Sequence, residues 1–274
     1  MYRRYAWAGL SAAMLLAACG RTGIQRELEL VPSTALAHFH AERPLPPEIW
    51  GLFPEGVLPA DQSLFRNLLD RGPLGVSIVA VSLTDLEPQL LLLTRSAPPE
   101  TLTALACASL GASPDSSAGR TDLVNSRGQV LGAVAERDGW SALYLGPAPQ
   151  STLGRWLEMK KEESLASDSS LALLLEGDAD LSLFVPSGLI SFLRVAPVGE
   201  WIPEWSDVET VMSMLQPRAA RLDLAFGTGI ALEARVVRQE GRVARTRFEL
   251  EDTGFTPGEM LASLQLLLRA GGLL

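Results

Sequence analysis

Apolar positions recur along this chain at two periods, and the switches between them set out the expected elements. Ala35–His40 reads as a strand, with His38 and His40 alternating with Ala37 and Phe39. Pro44, Pro46, Pro47, Pro54 and Pro59 then interrupt any regular pattern. Apolar residues return at helical spacing after Asp61, as Leu64, Phe65, Leu68 and Leu69, and Arg71-Gly72-Pro73 ends that helix. Gly75–Leu83 and Gln89–Arg95 are near-continuous apolar runs joined across a turn, which predicts a β-hairpin buried on its faces. Pro98-Pro99-Glu100 opens a helix carrying Leu102, Leu105, Ala106 and Ser109 on one side, with Gly111 as its stop. Val130–Glu136 and Trp140–Leu145 flank Asp138-Gly139, a two-residue hairpin signal. Ser151–Glu162 follows as a helix with Leu153, Trp156 and Leu157.

A Ser-rich stretch, Ser164–Ser170, marks a junction, and the plan then recurs. Asp180–Val185 reads as a strand, Ser187–Val195 and Ser206–Leu215 as helices, and Ala219–Phe226, Ile230–Arg238 and Val243–Glu251 as strands. Ser206 with Glu209 forms a capping box ahead of Val208, Val211, Met212 and Leu215. A last helix starts at Thr256-Pro257-Gly258-Glu259 and carries Met260, Leu264, Leu267 and Leu268 on one stripe. Ala35–Phe39 aligns with Asp180–Phe184, and Glu100–Leu105 with Glu259–Leu264, in the same order. The expected fold is therefore α+β: two similar halves, 31–163 and 164–274, each an antiparallel β-sheet with helices packed on one face.

The N-terminus follows a different logic. Arg3 and Arg4 precede an apolar stretch, Ala6–Ala18, of 13 residues. A membrane-spanning helix needs about 20 such residues, so the length matches a signal-peptide core instead. The stretch closes on Leu16-Ala17-Ala18-Cys19-Gly20, which resembles the lipobox of bacterial lipoproteins. That resemblance implies removal of residues 1–18, lipid attachment to Cys19 and a membrane-anchored protein of the cell envelope. In Gram-negative lipoproteins Asp after the cysteine commonly marks inner-membrane retention. Gly20 stands there, so the resemblance implies the outer membrane, facing the periplasm. Residues 19–30 read as a polar tether to the body.

The body also resembles a group of exported bacterial proteins that carry no established activity. Their unit opens with a Pro-Ala-Asp-Thr-like turn and a hydrophobic strand, and recurs after a Leu-Ala-x-Asp helix. Val31-Pro32-Ser33-Thr34 and Ser164-Leu165-Ala166-Ser167-Asp168 are the counterparts, with Ser33-Thr34 in place of the usual Ala-Asp. The likeness implies an architecture and no reaction.

Composition narrows the partners. The net charge is −9, and it becomes −11 once Arg3 and Arg4 leave with the signal. The acidic balance argues against nucleic acid, because phosphate binding wants clustered Lys and Arg. Of two cysteines, Cys19 is consumed by lipid, so Cys107 lacks a partner within the chain and reads as a small buried hydrophobe on its helix.

Candidate chemistry is sparse. His38 and His40 are the only histidines, and with Glu42 they alternate along one strand, a conceivable metal triplet. The plainer reading puts Ala35, Ala37, Phe39 and Ala41 toward the core and the polar set toward solvent. No Gly-x-Ser-x-Gly elbow, Walker loop, His-Glu-x-x-His or Cys cluster occurs. Trp50, Phe53, Trp201 and Trp205 sit in Pro-flanked segments as anchors for a partner or as lids over the core. The expectation is a non-catalytic binding or structural lipoprotein without cofactor, held to the membrane through Cys19 and paired with an envelope protein. The alternatives are an envelope hydrolase using His38 or His40, and a carrier of apolar ligands between the halves.

Overall fold

The computed structural model describes residues 23–42, 64, 67–68, 71–81, 88–117, 119–177, 179–195, 213, 216–226 and 230–250. Eleven strands are described. They are β1 (Ala37–Ala41), β2 (Leu74–Val81), β3 (Pro88–Thr94), β4 (Ser113–Ser117), β5 (Arg120–Val124), β6 (Val130–Arg137), β7 (Trp140–Leu145), β8 (Leu181–Val185), β9 (Pro217–Phe226), β10 (Ile230–Arg238) and β11 (Val243–Leu250). The helices are α1 (23–28), α2 (Pro99–Leu110), α3 (Pro149–Glu158), α4 (Ser169–Ala172) and α5 (Ser187–Val195), with helical turns at Leu64 and Leu68.

All eleven strands join one sheet in the order β11-β10-β9-β8-β1-β2-β3-β7-β6-β5-β4, and every neighbouring pair is antiparallel. This corrects the expected fold class of two halves, each with its own sheet and helices on one face. The seam between them is a strand pair: β1 bonds β8, with His38 opposite Phe184 and His40 opposite Ser182. Each strand would otherwise leave a row of unpaired backbone groups at a sheet edge, and pairing removes both edges. On either side of this pair the chain runs outward in the same sense, β1-β2-β3 one way and β8-β9-β10 the other. Matching Ala35–Phe39 to Asp180–Phe184 residue by residue puts Phe39 in place of Phe184, yet the two lie on opposite faces. Phe39 pairs with Leu183, whereas Phe184 sits across from His38. Any structural equivalence is shifted from that alignment by one residue.

The sheet is covered on both faces over its centre. On the face under α1 lie Leu28, Leu91, Leu93, Tyr144, Leu153, Trp156 and Phe184; on the face under α2 lie Leu64, Leu68, Leu92, Leu102, Ala106, Leu143 and Leu181. Leu90–Leu93 of β3 are all buried, which accounts for the unbroken leucine run: a strand sandwiched between two layers has no solvent face to supply with polar residues. The Asp138-Gly139 turn closes β6 to β7 with both residues at positive φ, 54° and 74°, the geometry that matches strand twist in a two-residue hairpin. Where expectation and structure differ, the polar content explains it. β4 is Ser-Pro-Asp-Ser-Ser, exposed throughout, and exists only as an edge partner of β5. The helix expected at Ser151–Glu162 begins instead at Pro149, pre-set for a first helical turn. It ends at Glu158, after which Glu163 accepts from the Lys160 N–H at 2.8 Å and turns the chain. The helices expected at Ser206–Leu215 and from Thr256 lie outside the described residues, apart from Ser213.

Candidate functional site: a buried carboxylate between two imidazoles

The segment expected to be tether enters the body at once. Residues 23–28 are helical, with Glu27, Leu28 and Leu30 at 0%, 1% and 3% exposure. Ile24 and Leu28, one helical turn apart, pack on the α1-face core, and this sets Glu27 over β1 and β2. The turn after α1 is pinned by the Trp156 Nε1–H donating to Leu30 O at 2.6 Å. Backbone bonds from Ser33 N to Glu163 O and from Leu165 N to Val31 O, at 2.7 and 2.8 Å, add to it. Arg137 in turn donates to the carbonyls of Trp156 and Met159.

His38 and His40 share a face of β1, as the alternation predicts, but that face is buried rather than solvated. Both faces of β1 are covered, and the polar face lies beneath α1. The two rings converge on one carboxylate. Nε2 of His38 is 2.8 Å from Glu27 Oε1, and Nδ1 of His40 is 2.8 Å from Glu27 Oε2. The outer nitrogens are occupied as well: Nδ1 of His38 lies 2.8 Å from Ser77 Oγ, and Nε2 of His40 lies 2.8 Å from Glu42 Oε2. Only Glu42 reaches solvent, with its side chain 58% exposed. Gly75, opposite His40 on β2, makes room for the carboxylate, since a Cβ there would stand 2.1 Å from Glu27 Oε1.

The electrostatics follow from this packing. Burial alone would push the Glu27 carboxyl up, but the His40 charge and hydrogen bonds from both imidazoles outweigh it and hold the group at about 2. Burial alone would likewise push His40 down, yet Glu27 and Glu42 on its two nitrogens raise it to about 9. The cluster is thus an imidazolium held between two carboxylates. With Nε2 of His38 donating to Glu27, its Nδ1 is left to accept from the Ser77 hydroxyl, an assignment made from the network.

A second polar cluster adjoins the first on the same face. Ser182, opposite His40, donates to Asp223 Oδ1 at 2.6 Å, and Arg221 donates to the same oxygen at 2.6 Å and to Leu174 O at 2.6 Å. Arg235 reaches Asp223 Oδ2 at 2.5 Å and pairs with Glu233, which also receives Arg245. Arg221 is fully buried, and that burial pulls its pKa down against the opposing pull of Asp223. Its guanidinium stands 5.0 Å from the Phe184 ring, which lies 6.1 Å from His38. Like charges face each other in the register, Arg221 with Arg235 and Asp223 with Glu233. The favourable contacts are therefore diagonal and within the strand. The signal for this cluster was present in the sequence as charges two apart on each of two neighbouring strands, whereas Glu27 was hidden in a segment read as tether.

As a metal triplet, His38, His40 and Glu42 do not converge. Each ring nitrogen points at its own oxygen partner at hydrogen-bond length, and among the described residues no group of three or more His, Cys, Asp or Glu is placed to hold an ion. Cys107 is half-buried against the α2-face core, and burial raises its pKa. Asp180 accepts from the Phe226 N–H at 2.6 Å, in a structural role at the β8–β9 end. Cys19, Trp50, Phe53, Trp201 and Trp205 lie outside the described residues. A cleft of about 730 Å³ opens between α3 and the sheet, lined by Gln89, Leu91, Tyr144, Thr152, Arg155 and Trp156 among others, all within 31–163. The Tyr144 hydroxyl, on its wall, donates to Gln89 Oε1 at 3.0 Å and lies 3.2 Å from Pro147 O. No helix among the described residues is long and apolar enough to cross a membrane. Comparison with protein-family models, with curated protein sequences and with solved structures gives no match to this chain.

Proposed function

We propose that this protein is a lipid-tethered, non-catalytic component of the bacterial envelope that binds or braces a partner close to the membrane surface. The observation that carries the reading is how little chain separates the lipobox cysteine from the body. Helix α1 is under way by residue 23, four positions after Cys19, and Glu27 is already clasped in the sheet. At no more than ~3.6 Å per residue, that gap spans at most about 15 Å. Lipid on Cys19 would then hold the body against the headgroups. The membrane is one partner through the lipid, and an envelope protein within that short reach is the other. The periplasmic face of the outer membrane is the location that the Gly20 resemblance favours.

The arrangement speaks against using His38 or His40 as a catalytic base. A base must be reachable from a substrate, and here both rings, together with the Ser77 hydroxyl that bonds His38, are buried. The cleft beside Tyr144 and Trp156 favours a second reading, a small amphipathic ligand held within 31–163, since its volume is in the range of ligand pockets. Native mass spectrometry of the protein from its host should then show a bound small molecule. The primary reading is tested by mass spectrometry of the N-terminal peptide in the native host. Wild-type protein should begin at an acylated Cys19, and Cys19→Ser should lose the acyl mass. An unlipidated wild-type N-terminus would remove the proposal.

A further inference from the structure

The cleft between α3 and the sheet carries opposite chemistry at its two ends. At one end the Tyr144 hydroxyl donates to Gln89 Oε1 at 3.0 Å and Thr152 hydrogen-bonds the same hydroxyl, which leaves the Gln89 amino group as a donor. Arg155, one helical turn after Thr152, acts on that hydroxyl through its charge, and among the described residues no carboxylate pairs with it. This end therefore offers donors and positive charge. At the other end Glu162 and Glu163 line the cleft beside Lys160. Glu163 is fixed there: its carboxylate accepts from the Lys160 N–H at 2.8 Å, and its backbone carbonyl accepts from the Ser33 N–H at 2.7 Å. Between the ends, Leu91, Leu153, Trp156 and Met159 make an apolar floor.

We infer, resting on the ligand reading of this cleft, that it takes a short peptide of about three residues. The C-terminal carboxylate lies at Arg155 and Gln89, the ammonium at Glu162 and Glu163, and an apolar side chain on the floor. A guanidinium beside an amide donor suits a carboxylate, which accepts several charge-assisted hydrogen bonds at once. Thr152 and Glu158 lie about 9 Å apart along α3, and Glu163 follows beyond the helix end. Three extended residues span about 10 Å, so one such peptide reaches from one polar end to the other. A simple fatty acid would satisfy the Arg155 end alone and would lay hydrocarbon against Glu162 and Glu163, desolvating their charges without a partner.

Titration calorimetry of the full chain purified from its host tests this with alanyl-leucyl-alanine, its C-terminal amide, its N-acetyl form and dodecanoate. The free tripeptide should bind, and capping either end should weaken it about tenfold. Arg155→Gln, at an exposed helix position, should weaken the free tripeptide to the level of the amide and leave the amide unchanged. Should that variant fail to fold, the capped peptides on the unaltered chain decide alone. Equal affinity for either capped form, tighter binding of dodecanoate, or an Arg155→Gln protein that holds the free tripeptide as before overturns the inference. Native mass spectrometry separates the two levels. A retained non-peptide molecule with no tripeptide binding overturns this inference and keeps the ligand reading, whereas no retained molecule and no binding of any probe overturns both.

Discussion

Glu27 is a carboxylate with both oxygens spent on imidazoles and no contact with water, so its removal leaves partners that nothing else can satisfy. Breaking one member of a buried charge pair costs about 3–5 kcal/mol, because the surviving charge stays desolvated. Glu27→Gln should accordingly lower the melting temperature by on the order of 10 °C. Gly75→Ala should act through the same atoms, since the new Cβ would occupy the space of Glu27 Oε1. The two substitutions combined should therefore cost clearly less than their separate effects summed, and strict additivity in thermal melts would argue against the shared cause. The pair also dictates a pH window. His40, raised from 6.5 to about 9, contributes stability that is complete below 6.5 and is lost as pH climbs through 9. Glu27, lowered from 4.5 to about 2, contributes stability that is present above 4.5 and lost as pH falls toward 2. These are two ends of one interaction, so the cluster is strongest between about 4.5 and 6.5. Wild-type melting temperature should fall from pH 6.5 to 9, and His40→Gln should flatten that slope.

At the scale of elements, α1 is held less by its own six residues than by what grips it. A helix this short does not persist in water on local bonds alone. Trp156→Phe removes the indole donor from Leu30 O and leaves that carbonyl buried without it, a cost of about 1–3 kcal/mol. The variant should show faster amide exchange in residues 23–30 than in β3 or β7, and uniform exchange across these segments would contradict the gripping role. Strands were the most legible part of the sequence. The apolar runs of β3, β6 and β7 lie where periodicity places them, because burial on both faces writes an unbroken signal, and β2 and β9–β11 also lie where the sequence places them, without burial on both faces throughout. What stayed hidden was partnership. Alternation in Ala37–Ala41 reports two faces but not which strands flank them, so the polar face read as solvated when a helix covers it. The histidines were visible as a candidate cluster, whereas Glu27 was not, since a single buried acid in a polar stretch has no period of its own. Ile24, Leu28 and Val31, spaced for one helical face, were the available clue.

For the whole molecule, the β1–β8 pairing means that neither 31–163 nor 164–274 has a finished sheet without the other. Severing them would expose the polar–apolar edge of β1 on one fragment and of β8 on the other. A single calorimetric unfolding transition is the expected outcome. Leu92→Ala in β3, costing about 2–5 kcal/mol, should shift that one transition bodily. Two resolved transitions, with only one of them displaced, would show that the halves are energetically separate.

The early entry of the chain into the sheet also gives the fold a mechanical polarity. A pull applied at residue 23 loads, within a few residues, the Glu27–histidine clasp and the Trp156–Leu30 bond, before it reaches the edge of any strand. Force arriving from that end is thus delivered to the middle of the sheet, at β1, where strands are paired on both sides and have no free margin from which to peel.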